Sequence, residues 1–306
     1  MDIELRNKVN LFYESYDEMK KIFKKDNKFL RIAEALVYGR TYSEFDTDKF
    51  LEIRNYLSEK AFYISEELLA VMSLMIQHRD NGIKIIDNTI RVYKYLLSKG
   101  LDEVEKCFFA SFILAKSHNG EDLTEKIKKL VSIKEKFNGQ HYIEYANLAL
   151  THKSMDEIYE EYKEIIEYID KASLKDPMDK DGLALSLILQ SEPVETKVEK
   201  LLSLLCNYKS EFSIISPSGY KALGVSTCLI EDSESFCKEL SSIYKILNER
   251  FAFKYFMSKE TKVNISLGII LEKYIEEVNS DLIEIKFKDE FKAIGAIEEL
   301  ILYSFV

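Results

Sequence analysis

Seven short blocks of small and apolar residues recur along this chain at a nearly fixed interval, and no other feature restricts its fold as strongly. Six of them open on alanine, at Ala33, Ala70, Ala110, Ala146, Ala184 and Ala222. By difference of their numbers, these alanines stand 37, 40, 36, 38 and 38 positions apart. A seventh block, Ser266-Leu267-Gly268-Ile269-Ile270, follows after 44. An interval of this size is typical of two-helix repeats, where no unit can bury its apolar stripe alone and each must stack on its neighbours.

The stretch Ala146-Asn147-Leu148-Ala149-Leu150-Thr151-His152-Lys153-Ser154-Met155-Asp156-Glu157 shows the grammar of one unit. The small-residue block predicts a first helix that lets neighbouring helices approach closely. A polar turn follows, and then a longer amphipathic helix. Its apolar positions Met155, Ile158, Tyr159, Tyr162, Ile165, Ile166 and Ile169 keep three-four spacing, with the carboxylates mainly on the other side. Equivalent turns occur at Arg79–Gly82, His118–Gly120, Ser191–Pro193 and Glu231–Ser233. Gly224 and Gly268 fall inside predicted first helices, where glycine costs about 1 kcal/mol against alanine, so close helix contact is the expected reason for them.

Only 10 glycines and 3 prolines interrupt 306 residues, which favours helices with short connections. The predicted fold is all-α, a solenoid-like stack of six to seven helical hairpins. It divides into an N-terminal capping helix over 1–29, a helical-repeat domain over 30–275 and a C-terminal extension over 276–306. Within that extension, 282–288 alternates apolar and charged residues like a short strand. Residues 291–305 then read as an apolar helix that caps the stack, with a homodimer contact as the alternative.

The formal net charge of -10 repels nucleic-acid phosphates. The run Lys20-Lys21-Ile22-Phe23-Lys24-Lys25 is flanked by acids and reads as a solvated helix face. No window offers the ~18 apolar residues a membrane span requires. The charged N-terminus lacks a signal core, and Cys107, Cys206, Cys228 and Cys237 show no paired spacing. A cytoplasmic protein with buried thiols is expected, without nucleic acid or membrane partners.

Chemistry is sparse. His78, His118 and His152 occupy matching positions in three successive units. Stacked helices lie about 8–10 Å apart and metal–nitrogen bonds are about 2 Å, so three such histidines cannot share an ion. They are expected to complement helix C-termini, and His141 to sit in a turn or first turn. Residues 176–189 resemble a calcium loop at Asp179, Asp181 and Gly182, but Pro177 and Ile188 occupy ligand positions, so a turn is expected there. No catalytic residue, metal site or cofactor is predicted. Of the 19 tyrosines, two stand among charges: Tyr95 with Arg91, and Tyr168 with Glu164. These four are the candidate binding residues, since exposed tyrosine amid charge is a common anchor in protein recognition.

Three segments, VNLFYESYDEMKKIFK (9–24), FLRIAEALVY (29–38) and GYKALGVSTCLIEDSESFCKELSSIYKIL (219–247), resemble an uncharacterised family of bacterial proteins of about this length. A family stretch of aromatic, serine, aromatic and arginine is incomplete here, with Phe62, Tyr63 and Ser65 present but no arginine. The resemblance implies an all-helical fold and a Gram-positive-type cytoplasmic setting, and it implies no activity. From the residues themselves, the leading expectation is a scaffold that binds a protein or peptide, favouring a basic partner. An enzyme using carboxylates and tyrosines, and a self-associating subunit, are the alternatives.

Overall fold

Every alanine that opens a repeat block is sealed from solvent: Ala33, Ala70, Ala110, Ala146, Ala184 and Ala222 are 0% exposed, as is Ser266. The computed structural model describes residues 3–24, 26–38, 46–77, 79–117, 123–137, 139–172, 179–212, 217–279 and 290–305. Among them every regular element is a helix. The strand-like segment 282–288 lies outside the described residues.

The chain forms two compact units, one of residues 43–160 and one of residues 1–42 together with 161–305. The first contains α3 (Thr47–Lys60), α4 (Glu66–Ile76), α5 (Gly82–Ser98), α6 (Val104–Lys116), α7 (Leu123–Lys136) and α8 (Tyr142–Leu150). Here α5 packs on both α3 and α7, and α6 on both α4 and α8. Composition separates these two sets. In α6 every residue from Cys107 to Ala115 is buried, and α8 is buried along its whole length, Glu144 and Asn147 included, as befits helices surrounded by other helices. By contrast α5 buries a single stripe containing Ile85, Ile86, Thr89, Val92, Tyr93 and Leu96. Each fully buried large side chain, such as Phe108 or Tyr145, contributes roughly 1.5–3 kcal/mol through removal from water.

The hairpins are phased one helix away from the sequence reading. The sequence pairs each alanine helix with the helix that follows, whereas α3 lies along α4, α5 along α6 and α7 along α8. The α5–α6 link shows the cause. Gly100 has a φ of 80°, a left-handed conformation that favours glycine. Its N–H donates to Leu97 at 3.0 Å and the Leu101 N–H to Leu96 at 3.3 Å, closing the last turn of α5. Leu96 and Leu101 are both fully buried, which fixes the reversal into α6.

The second unit contains α1 (Ile3–Ile22), α2 (Lys28–Tyr38), α10 (Lys180–Leu187), α11 (Val194–Glu211), α12 (Pro217–Ser226), α13 (Ser233–Leu247), α14 (Phe251–Phe256), α15 (Lys259–Asn279) and α16 (Glu290–Tyr303). The helix α9 (Met155–Lys171) starts in the unit of residues 43–160 and ends in this one. Helix α1 packs on α2, α13 and α15. Arg6 reaches Glu249 at 2.9 Å across 243 residues of sequence, and the Tyr13 hydroxyl donates to the Ile246 carbonyl at 3.1 Å. α16 lies on α12 and α15, with Ala296, Ile297, Leu300, Ile301 and Phe305 buried within the chain.

Gly224 and Gly268, each inside a helix, serve close contact. A Cβ on Gly224 would stand 2.6 Å from Leu183 Cδ1, and one on Gly268 would stand 3.1 Å from both Leu36 methyl groups. Substituting either forces a buried leucine aside.

Candidate functional site

In the second unit α1, α2 and α15 enclose a cleft of about 270 Å³. From α1 come Glu4, Lys8, Leu11 and Phe12, spaced to fall on one face of a helix. Gly268, Ile269, Glu272 and Glu276 supply the α15 wall, while Ala35 and Leu36 of α2 close the bottom. The cleft therefore has an apolar floor and a rim that is mostly carboxylate. Lys8 is the cation of that rim and pairs with Glu276, its side chain only 17% exposed. Next to the rim, Lys273 bonds Glu239 at 2.9 Å and lies 3.7 Å from Glu277. Burial works against its ammonium, yet Glu239, Glu277 and Glu4 hold its pKa above the usual lysine value. Among the described residues the cleft lining carries no histidine, cysteine or hydroxyl, so its chemistry suits binding of an apolar group flanked by positive charge.

A second polar concentration joins the C-terminal ends of α10 and α12. Lys197 of α11 is fully buried and pairs with Glu161. Its Nζ also donates to the carbonyls of Leu187 and Gln190, both at 3.2 Å. Gln190 Nε2 in turn donates to the Gly224 carbonyl at 2.7 Å and to the Thr227 hydroxyl at 2.8 Å. These bonds add side-chain donors to carbonyls buried at the helix ends. The network is structural glue.

The four residues singled out from sequence lie elsewhere. Arg91 and Tyr95 are both exposed, one turn apart on α5, and Lys99 sits 5.4 Å over the Tyr95 ring. On α9, Glu164 is exposed and Tyr168 half-buried, with Lys171 5.7 Å over the Tyr168 ring. Each pair shares a helix face as its spacing predicts, and neither lines the α1–α2–α15 cleft. The cleft residues escaped sequence reasoning because α1 reads as a cap. The acids Glu272 and Glu276 also look like any solvated helix face until α1 lies beside them.

His78 and His118 fall outside the described residues. His152 is exposed beyond the end of α8, where the carbonyls are served by others: Lys129 donates to Thr151 at 2.8 Å, and the Thr151 hydroxyl to Leu148 at 2.7 Å. His141 is the N-cap residue of α8, its ring edge-on to Tyr145 at 6.1 Å. In the calcium-like stretch, 176–178 lie outside the described residues. Asp179 there caps α10 by accepting from the Gly182 N–H at 2.8 Å and pairs with Lys221 at 2.9 Å. Among the described residues no three His, Cys, Asp or Glu side chains converge as metal ligands do. None of the four cysteines forms a disulfide, and no described helix is long and apolar enough to cross a membrane.

These features define an all-helical protein with a buried small-residue register and an acid-rimmed apolar cleft. The chain belongs to the family described as protein of unknown function DUF4003, whose model matches residues 15–299. The resemblance carried by residues 9–24, 29–38 and 219–247 thus reflects family membership. Comparison with curated proteins and with solved structures gave no match.

Proposed function

We propose that this chain is a cytoplasmic helical-repeat scaffold that binds a protein or peptide segment in the cleft between α1, α2 and α15. The reading takes the seven buried register positions as successive units of one stack of hairpins, which presents long helix faces rather than a reaction centre. One observation carries it: a floor of Leu11, Phe12, Leu36 and Ile269 beneath a rim of Glu4, Glu272 and Glu276. A floor of this size accepts one or two apolar side chains, and the rim selects lysine or arginine around them. The occupant is therefore a basic amphipathic segment, in keeping with the overall negative charge.

Fluorescence anisotropy with a short labelled leucine–lysine amphipathic peptide tests the proposal. The full chain should bind it at low salt and release it as salt rises, because rim attraction is screened. Glu272→Lys and Leu11→Glu should each weaken binding by about tenfold or more while helicity and thermal midpoint stay unchanged. Equal binding by wild type and both variants would exclude the cleft as the site.

A further inference from the structure

The short helix α14 divides its aromatic residues sharply. Phe253 points inward and is fully buried against Phe12, Tyr13 and Tyr16, with ring centroids 5.7, 5.2 and 5.3 Å away. Phe251, Tyr255 and Phe256 point outward and are 67%, 61% and 69% exposed. The outward rings touch each other, with Phe251 4.8 Å from Tyr255 and 5.9 Å from Phe256. Three large rings held together in water are costly unless something covers them. Phe29, at the start of α2, adds a fourth exposed ring. Beside it Lys28 Nζ lies 3.5 Å from the Phe256 carbonyl oxygen and 4.9 Å over the Phe29 ring, tying the two segments together.

The charge around these rings opposes that of the chain as a whole. α14 is pinned to the end of α1 by Arg250, which grips both oxygens of Asp17 at 2.6 and 2.7 Å. Lys20 is one turn beyond Tyr16, and Lys24 one turn further. Lys28 and Lys254 flank the rings themselves, and all four lysines are exposed. Among the described residues none of the four pairs with a carboxylate, whereas Asp17 is held by Arg250 and Glu18 by Lys21. Glu260 is an exposed acid a few residues past α14. At physiological salt screening acts over about 8 Å, so a surface meeting this patch feels its lysines more than the distant acids behind the net charge of -10.

We infer that this patch is a membrane-surface contact, with Phe251, Tyr255, Phe256 and Phe29 seated among the headgroups of an anionic bilayer and Lys20, Lys24, Lys28 and Lys254 on its phosphates and carboxylates. Clustered aromatic rings ringed by lysine are the composition that interfacial anchors use. That no described helix can cross a membrane leaves this intact, because the patch lies on the bilayer without crossing it. It is separate from the α1–α2–α15 cleft and does not depend on it.

The chain has no tryptophan, so Phe256→Trp places a single reporter in the patch. Its emission should shift to the blue, and the protein should sediment, with vesicles of phosphatidylcholine and phosphatidylserine but not with phosphatidylcholine alone. High salt should release it. In the wild-type background, Phe251→Ser/Phe256→Ser and Lys28→Glu/Lys254→Glu should each cut vesicle partitioning by roughly tenfold or more while circular dichroism and thermal midpoint are retained. Absence of both blue shift and sedimentation with anionic vesicles would overturn the inference, as would partitioning that neither double variant changes. A dimer in light scattering that Phe251→Ser/Phe256→Ser dissociates, without vesicle binding, would assign the patch to a second copy of the chain instead.

Discussion

Lys197 holds a fully buried ammonium against the mostly buried Glu161 carboxylate, the lysine side chain being 0% and the glutamate 15% exposed. Removing one member of such a pair leaves a buried charge uncompensated, at a cost of about 3–5 kcal/mol. Lys197→Ala should therefore lower the unfolding free energy by that order in urea titration, and Glu161→Gln by less, because the amide oxygen still accepts. A loss below about 1 kcal/mol for Lys197→Ala would mean that the Gln190 carbonyl finds another donor.

The glycines make opposite predictions in one helix type. Gly268→Ala gains about 1 kcal/mol of helix propensity but drives a methyl against both Leu36 methyls, and overpacking costs about 1–3 kcal/mol. Net destabilisation of about 1 kcal/mol is expected. Gly295→Ala in α16 meets nothing described within 4 Å, so the propensity gain of up to about 1 kcal/mol should remain. Thermal unfolding of the two variants should move in opposite directions.

The start of α9 is a reciprocal cap. The Ser154 N–H donates to Glu157 at 2.6 Å, and the Glu157 N–H to the Ser154 hydroxyl at 3.2 Å. Ser154→Ala should cost about 1 kcal/mol. Those bonds to Ser154 hold the Glu157 pKa below its ordinary 4.5. A depressed carboxylate stabilises the fold above its unfolded pKa and loses that contribution as pH falls through the folded value. The stability gap between wild type and Glu157→Gln should thus be full at pH 7, shrink as pH falls below the unfolded carboxylate value and vanish below the lower folded one; a gap independent of pH would refute the assignment.

Alkali should unfold the chain in a defined window. Burial raises Cys107 and Cys237 from 9.0 to about 12, and raises Tyr13, Tyr93 and Tyr142 from 10.0 to about 12. For groups whose pKa rises on folding, the stabilisation is complete below the unfolded value and is lost as pH climbs to the folded one. Stability should fall from about pH 9, steepen above 10 and be exhausted near 12. Unfolding midpoints across that range, followed by tyrosinate absorbance, provide the check. In native protein near neutral pH, exposed Cys206 should react with thiol reagents well before buried Cys107 and Cys237.

Periodicity carried the helical class because it is local: the interval between Ala70, Ala110, Ala146, Ala184 and Ala222 and the three-four spacing of α9 are written in single stretches. Both the phase of the hairpins and the cleft depend on more. In the α5–α6 hairpin the reversal uses Gly100, one residue in a left-handed conformation that composition treats as an ordinary turn glycine. The cleft joins Lys8 to Glu276, and the outward rings of α14 matter only because Phe253 turns inward on Tyr13 and Tyr16. Such pairings between distant segments leave no periodic trace. Tyr95 and Tyr168 were legible as surface aromatics, but surface placement alone names no ligand.

The grip of α1 on α13 and α15 also bears on how the polypeptide matures. Residues near Arg6 leave the ribosome more than two hundred positions before Glu249 and Glu276 exist to receive them. Throughout that delay Leu5, Val9, Phe12 and Met19 lack the α13 and α15 surfaces that cover them in the finished fold, so a segment made early is among the last to settle and is a natural client for chaperones.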